Sequence, residues 1–144
     1  MILFTIGSGQ KSAEKFFSLL KQNRVQRLID IRLNNKSQLA GFTKSPDLQY
    51  FLKQIAAIDY IHLPILAPTQ ALLAGYREKK IEWAEYERSF GELLNQRNPL
   101  VELNADVFDS ACLLCSEPTA KYCHRRLVAE YLAKSIPALK IQHL

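Results

Sequence analysis

Apolar residues along this chain fall into short continuous runs that alternate with stretches of helical spacing. Residues 2–6 form a run closed by Gly7-Ser8-Gly9, which predicts a strand followed by a turn. Ser12 suits a helix cap, and Phe16, Phe17, Leu19 and Leu20 then recur at helical spacing. Residues 25–31 are a second run, interrupted only by Gln26, Arg27 and Asp30. Residues 33–44 predict the longest irregular loop, with the length and position of a lid. Ser45-Pro46-Asp47 then starts a helix with proline at its favoured first position, and Leu48, Phe51, Leu52 and Ile55 form the stripe to be buried.

The second half repeats the alternation. Residues 60–63 predict a third strand, stopped by Pro64. Residues 69–76 predict a short helix and 81–96 a longer one, whose Trp83, Tyr86, Phe90, Leu93 and Leu94 are read as core. Residues 98–108 read as a short helix or turn. The uninterrupted run at 110–115 is what a central parallel strand needs, because both of its faces are covered. A helix over 122–135 turns Leu127, Val128, Tyr131 and Leu132 inward, Pro137 ends it, and residues 139–141 suit a last edge strand. Strands alternating with helices imply βαβ units and right-handed crossovers. The expected fold class is α/β: a mostly parallel sheet flanked by helices, a Rossmann-like or flavodoxin-like three-layer sandwich. With no repeat, low-complexity tract or linker, residues 1–144 read as one domain.

Composition narrows the functional classes. No run approaches the roughly 20 apolar residues of a membrane span, and the first residues lack the basic start of a secretory signal, so no membrane role and a cytoplasmic location are expected. Three cysteines are an odd number, which argues against a disulfide framework. The net charge of +5 lies wholly in residues 1–60, with nine Lys or Arg against four Asp or Glu. That half is either a solvated surface or an attractor of phosphates or nucleic acid.

Candidate chemistry concentrates at 111–126, where Cys115, Glu117, Cys123, His124 and Arg125 accompany a strand-to-helix transition. Parallel strands deliver their following turns to one rim, where ligands of open α/β sheets bind. Gly7 and Ser8, Arg32, His62, and the Cys115–Glu117 turn are therefore expected to meet there. The helix behind them opens with Cys123, His124 and Arg125, and such an amino end attracts anions. Each group also has a plain structural reading. Cys115 is then a small core hydrophobe, His62 and His124 packed imidazoles, Asp30 and Arg32 an ion pair, and Arg126 a surface partner of Glu130.

Spacing removes several sharper readings. A phosphatase-type thiol loop needs Arg after five residues, and Lys121 stands there. The seven residues between Cys115 and Cys123 match no zinc knuckle, so no metal ligands are assigned. Gly7-Ser8-Gly9 lacks the third glycine of a dinucleotide fingerprint, since Ser12 holds its place. A thiol nucleophile favoured by Arg125, with His124 as base, stays open. So does a Cys115–Cys123 redox pair, which needs Cα atoms within about 7 Å.

In order along the chain, Thr5-Ile6-Gly7, Leu28-Ile29-Asp30-Ile31-Arg32, Gly41-Phe42 and Tyr60-Ile61-His62-Leu63-Pro64 precede Leu113-Leu114-Cys115-Ser116-Glu117 and Cys123-His124-Arg125. In this set the sequence resembles the domain of unknown function 488 family over nearly its full length. The resemblance implies a compact α/β domain with a shared polar site and no known reaction. The family's opening usually continues His-Ser where this chain has Ser8-Gly9, so any chemistry of that histidine would here be lost or pass to His62 or His124.

Three functions follow as expectations. The first is an enzyme acting on a phosphorylated or nucleotide-like substrate, with Cys115, Glu117 and His124 nearest the chemistry. Gly7, Ser8, Arg32, His62, Cys123 and Arg125 would bind the substrate, and Glu117 is the simplest general acid or base. The second is a non-catalytic nucleic-acid-binding module using residues 1–60. The third is a thiol redox sensor. The cofactor and the oligomeric state are left unassigned.

Overall fold

The apolar run predicted as a central strand occupies the middle of the sheet. In the computed structural model, which describes residues 1–36 and 40–144, β4 (Ala111–Cys115) is fully buried along its length. It lies between β1 (Ile2–Gly7) and β2 (Arg27–Asp30), with β3 (Asp59–His62) and β5 (Lys140–His143) at the edges. All pairings are parallel, in the order β3-β2-β4-β1-β5. This is the expected three-layer α/β class; within it, the order differs from the flavodoxin-like 2-1-3-4-5 arrangement.

Alternation along β4 divides the core into two. Ala111 and Leu113 join Leu3, Ile29 and Ile31 on one face. There α4 (Trp83–Arg97) adds Tyr86, Phe90 and Leu94, and α5 (His124–Ser135) adds Leu127, Val128 and Leu132. Cys112 and Leu114 join Phe4, Ile6 and Leu28 on the other, under α1 (Ala13–Gln22) and α2 (Asp47–Ala56). Ser12 caps α1 by accepting a hydrogen bond from the Lys15 amide at 3.1 Å. Between β3 and α4, α3 (Gln70–Arg77) is capped in the same way by Thr69.

Boundaries moved where cap geometry differs from periodicity. The last long helix starts at His124 rather than 122, because Cys123 is extended and its Sγ accepts from the Arg125 amide. Pro46 sits one residue before the first turn of α2, not in it. Ile55, expected in the buried stripe of α2, is 44% exposed, while Leu48 and Leu52 are fully buried. The loop read as a lid includes residues 37–39, which lie outside the described residues; its later part holds a single 3-10 turn, Gly41–Thr43. No helix among the described residues is long and apolar enough to cross a membrane.

Candidate functional site

The strand order creates the crevice. From β2 the chain moves outward to β3, whereas from β4 it crosses β1 to reach β5. The loops beyond the carboxyl ends of β2 and β4 therefore leave in opposite directions, and such a switch point opens a ligand crevice. A cavity of about 160 Å³ lies there, lined by Arg32, Leu33 and Asn34 after β2 and by Ser116, Glu117 and His124 after β4. Arg77, from the end of α3, completes the wall. A second cavity of about 300 Å³ shares Leu73, Arg77, Glu117 and His124 with it. A third, of about 340 Å³, shares Arg32 and Ser116 and adds Ser8, Gly9 and Lys11. The three form one trough along the rim.

Beneath the trough, the arginines are already engaged. Arg32 gives its Nε to Asp30 Oδ1 at 2.9 Å, and its Nη2 to Asp30 Oδ2 at 2.8 Å and to the Thr43 carbonyl oxygen at 2.7 Å. Tyr60 donates to the same carboxylate at 2.7 Å, and burial, followed by Asp30, pushes the Tyr60 hydroxyl up to about 12. Arg32 is thus the core half of an ion pair, with its side chain only 5% exposed. Arg125 is 1% exposed; its Nη1 donates to the Glu117 carbonyl oxygen at 2.7 Å and to Cys115 Sγ at 3.2 Å. Its Nε has no hydrogen-bond partner among the described residues, which leaves a buried donor unsatisfied.

Gly7 and Ser8 also serve the loop before any ligand. The Ser8 amide donates to the Cys115 carbonyl oxygen at 3.0 Å and the Gly9 amide to that of Ser116 at 2.9 Å. These bonds continue the β1–β4 ladder past the sheet. Cys115 is fully buried, and its Sγ touches that of Cys123 with Cα atoms 7.6 Å apart. That separation exceeds the reach of a relaxed disulfide, so a stable bond would need the loop to draw in. Of the two, Cys123 lines the 300 Å³ cavity. Among the described residues, no three His, Cys, Asp or Glu side chains group as a metal site.

Both histidines hold the chain leaving β2. His62 Nε2 donates to the Arg32 carbonyl oxygen and His124 Nε2 to that of Ile31, each at 2.8 Å. Since a carbonyl oxygen only accepts, Nε2 carries a proton in both rings. Burial pushes His124 down to about 4, against the pull of the Ile31 carbonyl, so its ring is neutral at neutral pH. The unfolded chain, with an ordinary histidine near 6.5, takes up this proton first. Stability is therefore complete above about 6.5 and is expected to fall as pH drops, by on the order of 2 kcal/mol at about pH 5 and 3 kcal/mol at about pH 4 from this residue. Urea midpoints compared between about pH 7 and pH 5 should shift less in His124→Gln, which keeps a donor for Ile31 and does not titrate.

Two cationic side chains outside the sequence-derived set reach the trough. Arg77 and Lys11 are cations without an ion-pair partner among the described residues, and burial, then Arg125, lowers the Lys11 pKa. Lys11 follows the Gly7-Ser8-Gly9 turn closely, which was a usable signal. Arg77 had none, because only the packing of α3 over the rim brings it there. Glu117 is exposed and its carboxylate likewise has no ion-pair partner among the described residues. Of the basic residues in 1–60, Arg32 pairs with Asp30, Lys53 with Asp59 at 2.9 Å, and Arg27 donates to the Val107 carbonyl oxygen at 3.1 Å.

No curated protein and no solved structure matches the chain. The family model described as "Domain of unknown function DUF488" matches residues 12–132, which takes in β2, β3, β4, the Cys115–Cys123 loop and most of α5. The chain belongs to that family, domain of unknown function DUF488.

Proposed function

We propose that this protein is an enzyme acting on a phosphorylated or nucleotide-like substrate bound in the rim trough. The observation behind this reading is the lining shared by two adjoining cavities. Glu117, a carboxylate without an ion-pair partner among the described residues, and Arg77, a cation in the same condition, stand there with His124, a neutral imidazole. Lys11 extends the positive lining into the third cavity, and the amino end of α5 adds its partial charge. A phosphate beside Glu117 would be held by Arg77, with Lys11 adding positive charge from the third cavity. Glu117 would move the proton, since it is exposed to the cavity and needs no activation. His124, with its Nε2 proton committed to Ile31, orients the loop and offers only Nδ1.

Arg32 and Arg125 shape the site from below, and Cys115, fully buried against Cys123 and Arg125, is a supporting group. A thermal-shift screen with nucleotides, sugar phosphates and short oligonucleotides tests the reading, because a ligand of the folded state raises Tm by mass action. A phosphorylated small molecule is expected to stabilise the parent. Arg77→Ala should cut its affinity at least tenfold, and Glu117→Gln should keep binding while abolishing turnover. Cys115→Ser should preserve the ligand-induced shift from its own baseline. Stabilisation by oligonucleotides alone, fading with salt and indifferent to Arg77→Ala, overturns the reading in favour of a nucleic-acid-binding module on the basic half.

A further inference from the structure

Aromatic side chains at the edge of the α4–α5 core also wall one end of the trough. The 300 Å³ cavity lies between α3, the start of α4 and the β4–α5 loop, and Tyr76, Trp83, Tyr86 and Tyr122 line it. Trp83 stacks on Tyr86 with centroids 5.0 Å apart and planes at 19°. Tyr122 stands edge-on to Trp83 at 5.6 Å, and Tyr76 meets Trp83 at 5.3 Å. Tyr86 is buried, but Tyr76 and Trp83 are only partly covered and Tyr122 is 51% exposed. An aromatic cluster left this open, from three separate segments, calls for an occupant. The same walls carry Glu117 and Arg77.

We propose that this cavity is a base-stacking subsite: it takes a nucleobase, whose attached phosphate reaches Arg77 and the adjoining cavity. The assignment rests on the rim reading above and names the substrate class. Every nucleobase has a π-face that stacks on Trp or Tyr, and stacking of this kind tolerates any base. Every base edge also presents N–H donors or ring acceptors, which a carboxylate and a guanidinium complement. A cavity of about 300 Å³ is at the small end for ligands and suits one ring system rather than an extended chain.

A ring-lined box also suits a quaternary ammonium ion. Charge decides against it here. Arg77 shares the cavity, and Lys121 Nζ already lies 5.2 Å from the Tyr122 ring centroid. An incoming cation would face both and be drawn only by Glu117, whereas a phosphate-bearing base is attracted by both against that single carboxylate. The base belongs either to a free nucleotide or to an unstacked residue of a single strand, and the chemistry of the subsite is the same for each.

Trp83 is the single tryptophan of the chain, so its fluorescence reports this subsite directly. The full chain is titrated with the four ribonucleoside monophosphates, with ribose 5-phosphate, and with short single-stranded RNA and DNA, while melting temperature is followed in parallel. At least one nucleotide or oligonucleotide is expected to quench Trp83 saturably, and which of the two does so identifies the source of the base. Tyr122→Ala, an exposed position that should fold normally, is expected to weaken that ligand roughly 5- to 150-fold, the range for losing one base–aromatic stack. The same variant should leave the ribose 5-phosphate shift unchanged. If ribose 5-phosphate and nucleotides stabilise equally, with no quenching and no effect of Tyr122→Ala, the base subsite is wrong while the rim reading survives. If no ligand stabilises or quenches, both fail.

Discussion

Asp30→Ala is expected to destabilise the protein by about 3–5 kcal/mol, the cost of stranding one member of a buried ion pair. Asp30 is fully buried, and its carboxylate accepts from Arg32 Nε, Arg32 Nη2, the Arg32 amide and the Tyr60 hydroxyl. Truncation leaves a guanidinium with a 5% exposed side chain holding only Thr43. The damage should spread to the rim, because Ile31 and Arg32 present the carbonyl oxygens that His124 and His62 bind. Urea unfolding measures the loss as a lower midpoint at unchanged slope. The double variant Asp30→Leu with Arg32→Met should lose clearly less than the sum of the two single changes, since it removes both charges together. Simple additivity would show that the pair is not coupled and that the buried-charge account is wrong.

Gly7→Ala, a change of one methyl group, is expected to cost about 2–4 kcal/mol and to lower Tm by on the order of 10 °C. Backbone conformation does not demand glycine here, for no described glycine has a positive φ. Space does. A Cβ at Gly7 would overlap the Glu117 carbonyl oxygen and Arg125 Nη1, two atoms joined by a 2.7 Å hydrogen bond. Either the β4–α5 loop lifts off the end of β1, or the buried guanidinium loses its carbonyl partner, which is worth about 1.5–3 kcal/mol for a charged group. Gly91→Ala is the control: a Cβ there meets nothing within 4 Å, and the change is on a helix, so stability should hold or rise slightly. Equal Tm for Gly7→Ala and the parent would rule out close approach as the reason for the glycine.

The elements that periodicity predicts are present because each is a local property. Residues 111–115 need apolar side chains on both faces to sit mid-sheet, and 124–135 need an inward stripe, whatever surrounds them. The parallel α/β class followed from their alternation, and with it the expectation that the turns after the strands share one rim. Arg126 lying 3.3 Å from Glu130 is likewise a matter of helical spacing.

What local pattern does not contain is which donors remain unengaged once the chain has closed. Arg32 reads in sequence equally as an anion binder or as the partner of Asp30; the 2.8 Å pair beneath Thr43 and Tyr60 is settled only by packing. Arg125 reads as an anion binder at a helix start, and the approach of the Cys115–Cys123 loop to Gly7 buries it. Trp83 has the spacing of a core residue and packs against the core, yet it also stands on a cavity wall, because α3 and the β4–α5 loop meet without filling the space between them. Arg77 lines the same cavity as Glu117 and His124 because the long return from β3 to β4 passes over the rim, bringing together segments about 40 residues apart in sequence. Sequence determined the elements and the class of fold, since side-chain periodicity is short-ranged. Burial, pairing and the meeting of Arg77, Glu117 and the aromatic wall depend on strand order and loop closure, which only the tertiary structure decides.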